Sequence, residues 1–301
     1  MKVLIMAAGS VGGYFGSLLL NNNEVGFVAR GNHLENIKQN GLKIISKSTG
    51  NSTFEVNAFK IPPQNFKADL VIFSVKSYQN EGSIPIIKQV FKSTSQILSI
   101  QNGIGSQEFL SNHFGVDHVI PGATYIDATK KSPGVIEEFG GNPKIVLGGN
   151  HKQIEIINSI FKNTKINYEI STDIQCDLWK KLIYISALSG ISCLLRQDFE
   201  SILSRQESKN LVISVLKESL SVAHSLNINI SNDIVQNIID QFQKNSLNLI
   251  SSMYEDLKAK KMTEYEVING AVSRLGKQMG ILTPINDIIT TSLQLHNQNL
   301  S

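Results

Sequence analysis

Apolar and polar positions change rhythm about halfway along the chain. In the first half, short apolar runs alternate with stretches of helical character. Val3–Met6 is almost continuously apolar, as a strand buried on both faces should be. Gly9 to Leu20 follows with a helical pattern, then a strand over Val25–Ala29 and a helix over Asn32–Asn40 stopped by Gly41. Leu42–Ile45 and Phe54–Phe59 read as a pair of strands. Asp69–Val75 and Gln96–Ile100 predict further strands, and Glu81–Phe91 and Ser106–Phe114 predict helices. Such alternation predicts a parallel sheet covered on both faces. From His118 to Leu147 the runs shorten and are broken by Gly and Pro, which predicts antiparallel additions ending near Ile166–Ile170. From about Asp173 onward the spacing is helical. Leu211, Val215, Leu216 and Leu220 form one stripe; Ile234, Ile238 and Phe242 form a second; Val267, Ile268, Val272, Leu275 and Met279 form a third. Five to six helices ending near Leu295 are expected, with Ser171-Thr172-Asp173 as the first helix start.

Ala7-Ala8-Gly9-Ser10-Val11-Gly12-Gly13 joins the first strand to the first helix. This is the context of the GxGxxG turn that cradles a dinucleotide pyrophosphate. Gly9 holds the second glycine position, where bare backbone can approach the phosphates, and Gly12 the third, where helix and strand pack closely. Ala7 replaces the first glycine. Ala7, Gly9, Ser10, Val11 and Gly12 are therefore candidate cofactor contacts, with the helix N-terminus offering N–H groups to the anion. The second strand ends at Arg30, 21 positions after Gly9, and no acid lies between Val25 and Asn32. A carboxylate there would hold a ribose 2′-hydroxyl, whereas a guanidinium suits a 2′-phosphate. NADP(H) is expected over NAD(H). The expected architecture is α/β: an N-terminal Rossmann-type doubly wound parallel sheet over residues 1–171, followed by an all-α domain over 172–301.

Composition narrows the partners. Of 301 residues, 41% are hydrophobic and 18% charged, enough apolar material for real cores. A net charge of +3 argues against a nucleic-acid or membrane-surface protein. Lys258, Lys260 and Lys261 sit among Glu255, Asp256 and Glu264, as on a solvated face. Two cysteines, Cys176 and Cys193, without CxxC spacing fit a reducing cytoplasmic compartment. Glycines interrupt the apolar N-terminus too soon for a signal peptide. Leu182 to Leu195 falls short of the roughly 20 apolar residues a membrane span needs. No histidine pair has metal-site spacing, so no metal is expected.

With these motifs in order, the chain resembles the ketopantoate reductase (2-dehydropantoate 2-reductase) family over nearly its whole length. The likeness rests on the glycine turn with Arg30, then Ser74-Val75-Lys76-Ser77-Tyr78-Gln79, then Gln101-Asn102-Gly103-Ile104-Gly105. It continues through Leu178-Trp179-Lys180-Lys181-Leu182 and Ser251-Ser252-Met253, with Asp256, Thr263-Glu264 and Asn269-Gly270 after them. The resemblance implies a two-domain, NADPH-dependent reductase of a 2-oxo acid, ketopantoate to pantoate in pantothenate biosynthesis. By family role, Lys76 would lie beside the cofactor and Asn102 would orient nicotinamide and substrate. Lys181 would be the acid at the carbonyl, Glu264 its partner and Ser252 a contact of the substrate carboxylate. The chemistry is consistent on its own terms. Hydride delivery to a ketone leaves negative charge on oxygen, and a cation aimed at that oxygen stabilises it and can supply a proton.

The family's ketopantoate enzymes carry asparagines where this chain has Ile185, Ser189 and Leu249. Positions 181, 185 and 189 share one helix face, so Ile185 and Ser189 are candidate substrate contacts, as is Leu249. Neither Ile185 nor Leu249 can hydrogen-bond a substrate hydroxyl, which suggests a paralogue for a more apolar 2-oxo acid. Both would equally suit an ordinary core after a small register shift. Two further readings stay open: a β-hydroxyacid dehydrogenase of the 6-phosphogluconate type, and a non-catalytic NADP(H)-binding sensor. The apolar helical stripes could serve a homodimer interface or a core.

Overall fold

The computed structural model describes residues 1–245, 249 and 251–300. The chain divides into two units. One holds residues 1–101 and 106–174, the other residues 102–105 and 175–301.

The first unit is built on an eight-stranded sheet. Its strands are β1 (Lys2–Met6), β2 (Glu24–Val28), β5 (Asn57–Phe59), β6 (Leu70–Phe73), β7 (Gln96–Ser99), β8 (Val119–Tyr125), β11 (Lys144–Leu147) and β12 (Asn167–Ile170). They lie in the order β12-β11-β8-β7-β6-β1-β2-β5. From β5 through β8 every pairing is parallel. Read by sequence rank, these six strands run 3-2-1-4-5-6, the doubly wound Rossmann order. The order reverses between β1 and β6, so the crevice at their carboxyl ends is where such folds bind nucleotides. The strands are apolar throughout because both faces are covered: Val3, Ile5 and Ile72 enter one core, Leu4, Val71 and Phe73 the other. The covering helices are α1 (Ser10–Ser17), α2 (Gly31–Asn40), α3 (Asn80–Val90), α4 (Ser106–Phe114) and α5 (His151–Phe161).

Three details differ from the sequence pattern. The run Phe54–Phe59 splits. β4 (Ser52–Phe54) pairs antiparallel with β3 (Leu42–Ser46), as expected, but β5 joins the main sheet beside β2. Alternation records which residues are buried, not which sheet buries them. Next, β8 is a sixth parallel strand, and among the described residues the one antiparallel pairing in this sheet is that of β11 with β8. Gly122 reads as a break, yet it is small because a Cβ would press on the Ser99 and Val146 carbonyl oxygens of the flanking strands. β9 (Ala128–Ser132) and β10 (Val135–Glu138) leave for a four-stranded sheet, ordered β4-β3-β10-β9. Finally, α5 lies between Leu147 and Ile166, where no helix was expected. Its start is marked by a capping box in which Asn150 and Gln153 bond each other's backbone N–H.

The second unit is helical in its described residues. It comprises α6 (Ile174–Leu195), α7 (Phe199–Leu203), α8 (Gln206–Ser225), α9 (Ile234–Asn245), α10 (Ser252–Lys258), α11 (Asn269–Met279) and α12 (Pro284–Gln298). The five to six helices expected become seven because α7 and α10 are too short to show a period. α6 is long and apolar enough to cross a membrane by length and composition. Its Trp179, Leu182, Ile183, Ala187 and Ile191 lie in the hydrophobic core of this unit.

Candidate active site

The phosphate turn fits its predicted ligand by shape. A Cβ at Gly9 would meet nothing within 4 Å, so the ligand side of the turn is open. A Cβ at Gly12 would overlap the Ala7 carbonyl oxygen and Ser74 Oγ, and one at Gly16 would press on Phe27 and Ile5. The glycines thus let α1 lie directly on β1 and β2 while leaving Gly9 bare. Gly9 is the N-cap of α1 and supplies no side-chain cap, and no acid occurs in the first turn. The first helical N–H groups therefore point at a space suited to an anion. Ser74 Oγ, at the end of β6, donates to the Ala7 carbonyl at 3.0 Å, tying the two strand ends of the crevice together. Ala7, Ser10 and Val11 are each part-exposed along the turn.

Arg30 stands at the end of β2 as the N-cap residue of α2, with an exposed side chain. Lys76 opens a short 3-10 turn after β6 and is half-buried. Sequence reasoning gave no role to two groups that shape this region. Gln101 is buried and donates to the Val75 carbonyl at 2.6 Å and to Asn80 Oδ1 at 2.8 Å, fixing the segment before Lys76 against the end of β7. His33, on α2, contacts the phosphate turn itself; its Nε2 lies 2.7 Å from the Ala8 carbonyl oxygen. Gln101 stood in the sequence only as the first residue of the Gln101–Gly105 motif, with no role of its own, and no motif marked His33.

In the helical unit, Lys181 Nζ donates to Asn102 Oδ1 at 2.8 Å. Asn102 follows β7 in sequence but belongs to this unit. Its loop is held by the Ile104 N–H donating to the Val267 carbonyl at 3.1 Å. Gly103 takes φ +80°, and a Cβ there would strike Val267. Burial pushes the Lys181 ammonium down from the usual lysine range to about 8, and the nearby Glu264 carboxylate pushes it partly back. Glu264 is itself buried. The preceding residue, Thr263, is clamped by Asn297 of α12, whose amide accepts from the Thr263 N–H and donates to its carbonyl, both at 2.9 Å. The Asn269 amide, which sequence marked only as part of a motif, donates to the Ser186 carbonyl at 3.0 Å and to Asn286 Oδ1 at 2.9 Å. Gly190 leaves room for it. These bonds seat α6, and with it Lys181, against α11 and α12.

The structure brings Asn102, Lys181 and Glu264 together. Ile185 and Ser189 follow on α6, Ile185 half-buried and Ser189 buried. Ile185 and Leu249 both pack partly against the helical core. Ser252 is exposed at the first position of α10, and the capping role falls to Ser251, whose Oγ accepts from the Tyr254 N–H at 3.1 Å. A tunable ammonium between an amide and a carboxylate can hold a polarised carbonyl oxygen and pass it a proton.

Residues 3–152 match the family model "Ketopantoate reductase PanE/ApbA", and residues 173–297 match its C-terminal counterpart. A 2-dehydropantoate 2-reductase of Pyrococcus abyssi is 30% identical over 294 residues, covering 95% of this chain and 94% of that protein. The crystal structure of a PanE/ApbA family ketopantoate reductase from Ralstonia eutropha JMP134 superposes with a TM-score of 0.89 at 25% identity, covering 99% of each chain. D-mandelate dehydrogenase, solved with NADH and anilino(oxo)acetate, shares the fold with a TM-score of 0.89 at 24% identity, covering 100% of this chain and 99% of that one.

Proposed function

The chain belongs to the ketopantoate reductase family, and from that premise we propose that it reduces 2-dehydropantoate to pantoate with NADPH. The observation that carries the reading is the Lys181 ammonium, bonded to Asn102 and tuned by Glu264. Gly9, Ser10, Val11 and Gly12 would hold the pyrophosphate, with Ala7 and Lys76 beside them, and Arg30 would take the 2′-phosphate. When bound, a reduced nicotinamide would supply the hydride. Lys181 would receive the ketone oxygen and give it a proton, with Glu264 holding the charge in place. Asn102, its amide oxygen engaged by Lys181, presents its N–H₂ end as a donor. Ser252, exposed at the start of α10, suits a substrate carboxylate. This reading carries with it a place in pantothenate biosynthesis and a cytoplasmic setting. A homodimer fits it too, since a relative of the same fold is described as a dimeric ketopantoate reductase.

A second reading concerns the substrate alone. Ile185, one helical turn beyond Lys181, and Leu249 are apolar and only half-buried. Neither can bond a substrate hydroxyl, which favours a 2-oxo acid with a more apolar side chain. The test is product analysis with NADPH and NADH, offering ketopantoate beside apolar 2-oxo acids. Pantoate formation at ordinary enzymatic efficiency supports the first reading. Preference for the apolar acids supports the second, and Ile185→Asn should then move it back toward ketopantoate. An NADPH preference that Arg30→Ala erases supports the 2′-phosphate role; equal use of both cofactors removes it.

A further inference from the structure

His33 is buried on α2, one turn beyond Arg30. Its two ring nitrogens have partners that fix its state. The Gly134 backbone N–H can only donate, and it lies 2.9 Å from Nδ1. Nδ1 is therefore the acceptor. The Ala8 carbonyl oxygen can only accept, and it lies 2.7 Å from Nε2. Nε2 therefore carries the hydrogen. The ring is neutral in one tautomer, and a protonated ring would set a second donor against the Gly134 N–H. Burial also pushes the imidazole below its ordinary range, with the Ala8 carbonyl acting the other way and Lys130 on β9 adding to the depression.

Ala8 precedes the glycine at which bare backbone faces the ligand side. In a trans peptide the carbonyl and the following N–H point in opposite directions. A donor that holds the Ala8 carbonyl therefore also aims the Gly9 N–H away from His33. The neighbouring carbonyls are held inward as well: Ser74 Oγ donates to Ala7 at 3.0 Å, and the Gly13 N–H donates to Gly9 at 2.8 Å. His33 is in turn anchored by Gly134 in the turn between β9 and β10, whose own carbonyl accepts from the Lys43 N–H on β3 at 2.9 Å. The second sheet thereby becomes the backing of the phosphate turn.

We infer that His33 is a positioning residue for the dinucleotide pyrophosphate, acting through the Ala8–Gly9 peptide. It ties the phosphate turn to α2, the helix that Arg30 caps. The inference rests on the reading of this turn as a nicotinamide-dinucleotide site.

Glutamine and methionine have nearly the same shape and differ in hydrogen bonding, so His33→Gln and His33→Met separate positioning from packing. Calorimetric titration of the full-length protein with NADPH reads binding without turnover. His33→Met should raise the Kd about tenfold, the scale of one lost oriented bond. His33→Gln should stay within about threefold of wild type. In steady state, KM for NADPH should follow the Kd while kcat at saturating NADPH stays within about twofold. An unchanged Kd in His33→Met, a kcat that falls as far as the Kd rises, or a His33→Gln variant as weak as His33→Met overturns the inference. Should His33→Met fail to fold, His33→Leu takes its place: a tenfold rise in Kd beside a His33→Gln within threefold supports the role, and an unchanged Kd in His33→Leu overturns it. Wild-type protein that binds neither NADPH nor NADH would remove the dinucleotide reading itself, and the inference with it, before either variant is compared.

Discussion

Lys181 shows how a helix-surface residue type becomes a chemical group. A solvated lysine is charged at any physiological pH and has little reason to yield its proton. Burial brings this one down to about 8, where it can do so near neutrality. Burial is the larger cause, and Glu264 opposes it. If the ammonium is the acid, kcat/KM falls as pH rises through about 8, because the free enzyme loses the proton it must donate. Removing the Glu264 charge leaves desolvation unopposed, so Glu264→Gln should shift that alkaline limb to lower pH. A pH–rate profile of both proteins checks this, and a limb that stays fixed or moves upward contradicts the assignment. Sequence alone could name Lys181, Asn102 and Glu264 only through family motifs. Their spacing of 79 and 83 residues carries no local pattern. The roles of His33 and of Gln101, the latter named only as a motif residue, were invisible because each acts on a backbone carbonyl, and a carbonyl leaves no trace in side-chain identity.

Elements were legible where burial was periodic. β1, β2, β6 and β7 were found because strands covered on both faces must be apolar throughout. α2 was bounded correctly at Gly41, which takes φ +76°. α5 was hidden by the strands around it, although Asn150 and Gln153 were its signature. Asn150→Ala should therefore cost about 1 kcal/mol of stability, read by denaturant unfolding. A loss below a few tenths would show the box to be redundant. Gly12 makes a sharper case. Gly12→Ala has to clear both the Ala7 carbonyl and Ser74 Oγ, lifting α1 from β1. Its cost should be in the range of 1–3 kcal/mol typical of overpacking. NADPH binding should weaken with it, because the same movement reshapes the phosphate turn. A variant with wild-type melting temperature and Kd would refute the close-packing argument.

At the scale of the molecule, the change in rhythm near Asp173 marked the passage from sheet to helices. It could not reveal that residues 102–105 belong with the helical unit. The reason is physical: the loop carries no periodicity, and its allegiance comes from Ile104 and Gly103 packing on Val267. That excursion matters because it delivers Asn102 to Lys181. A doubly wound parallel sheet was expected from the alternation and the glycine turn, while the second sheet was not, since β3, β4, β9 and β10 come from two distant parts of the chain. The central claim is that this fold serves NADPH-dependent reduction of a 2-oxo acid at Lys181. Initial rates of NADPH oxidation, with ketopantoate and a panel of other 2-oxo acids, test it in wild type and Lys181→Ala. The account predicts turnover of at least one of these acids and a loss in kcat of about 10²-fold or more in the variant, with NADPH affinity retained. Cofactor binding without turnover of any acid, or a Lys181→Ala variant as fast as wild type, would contradict it.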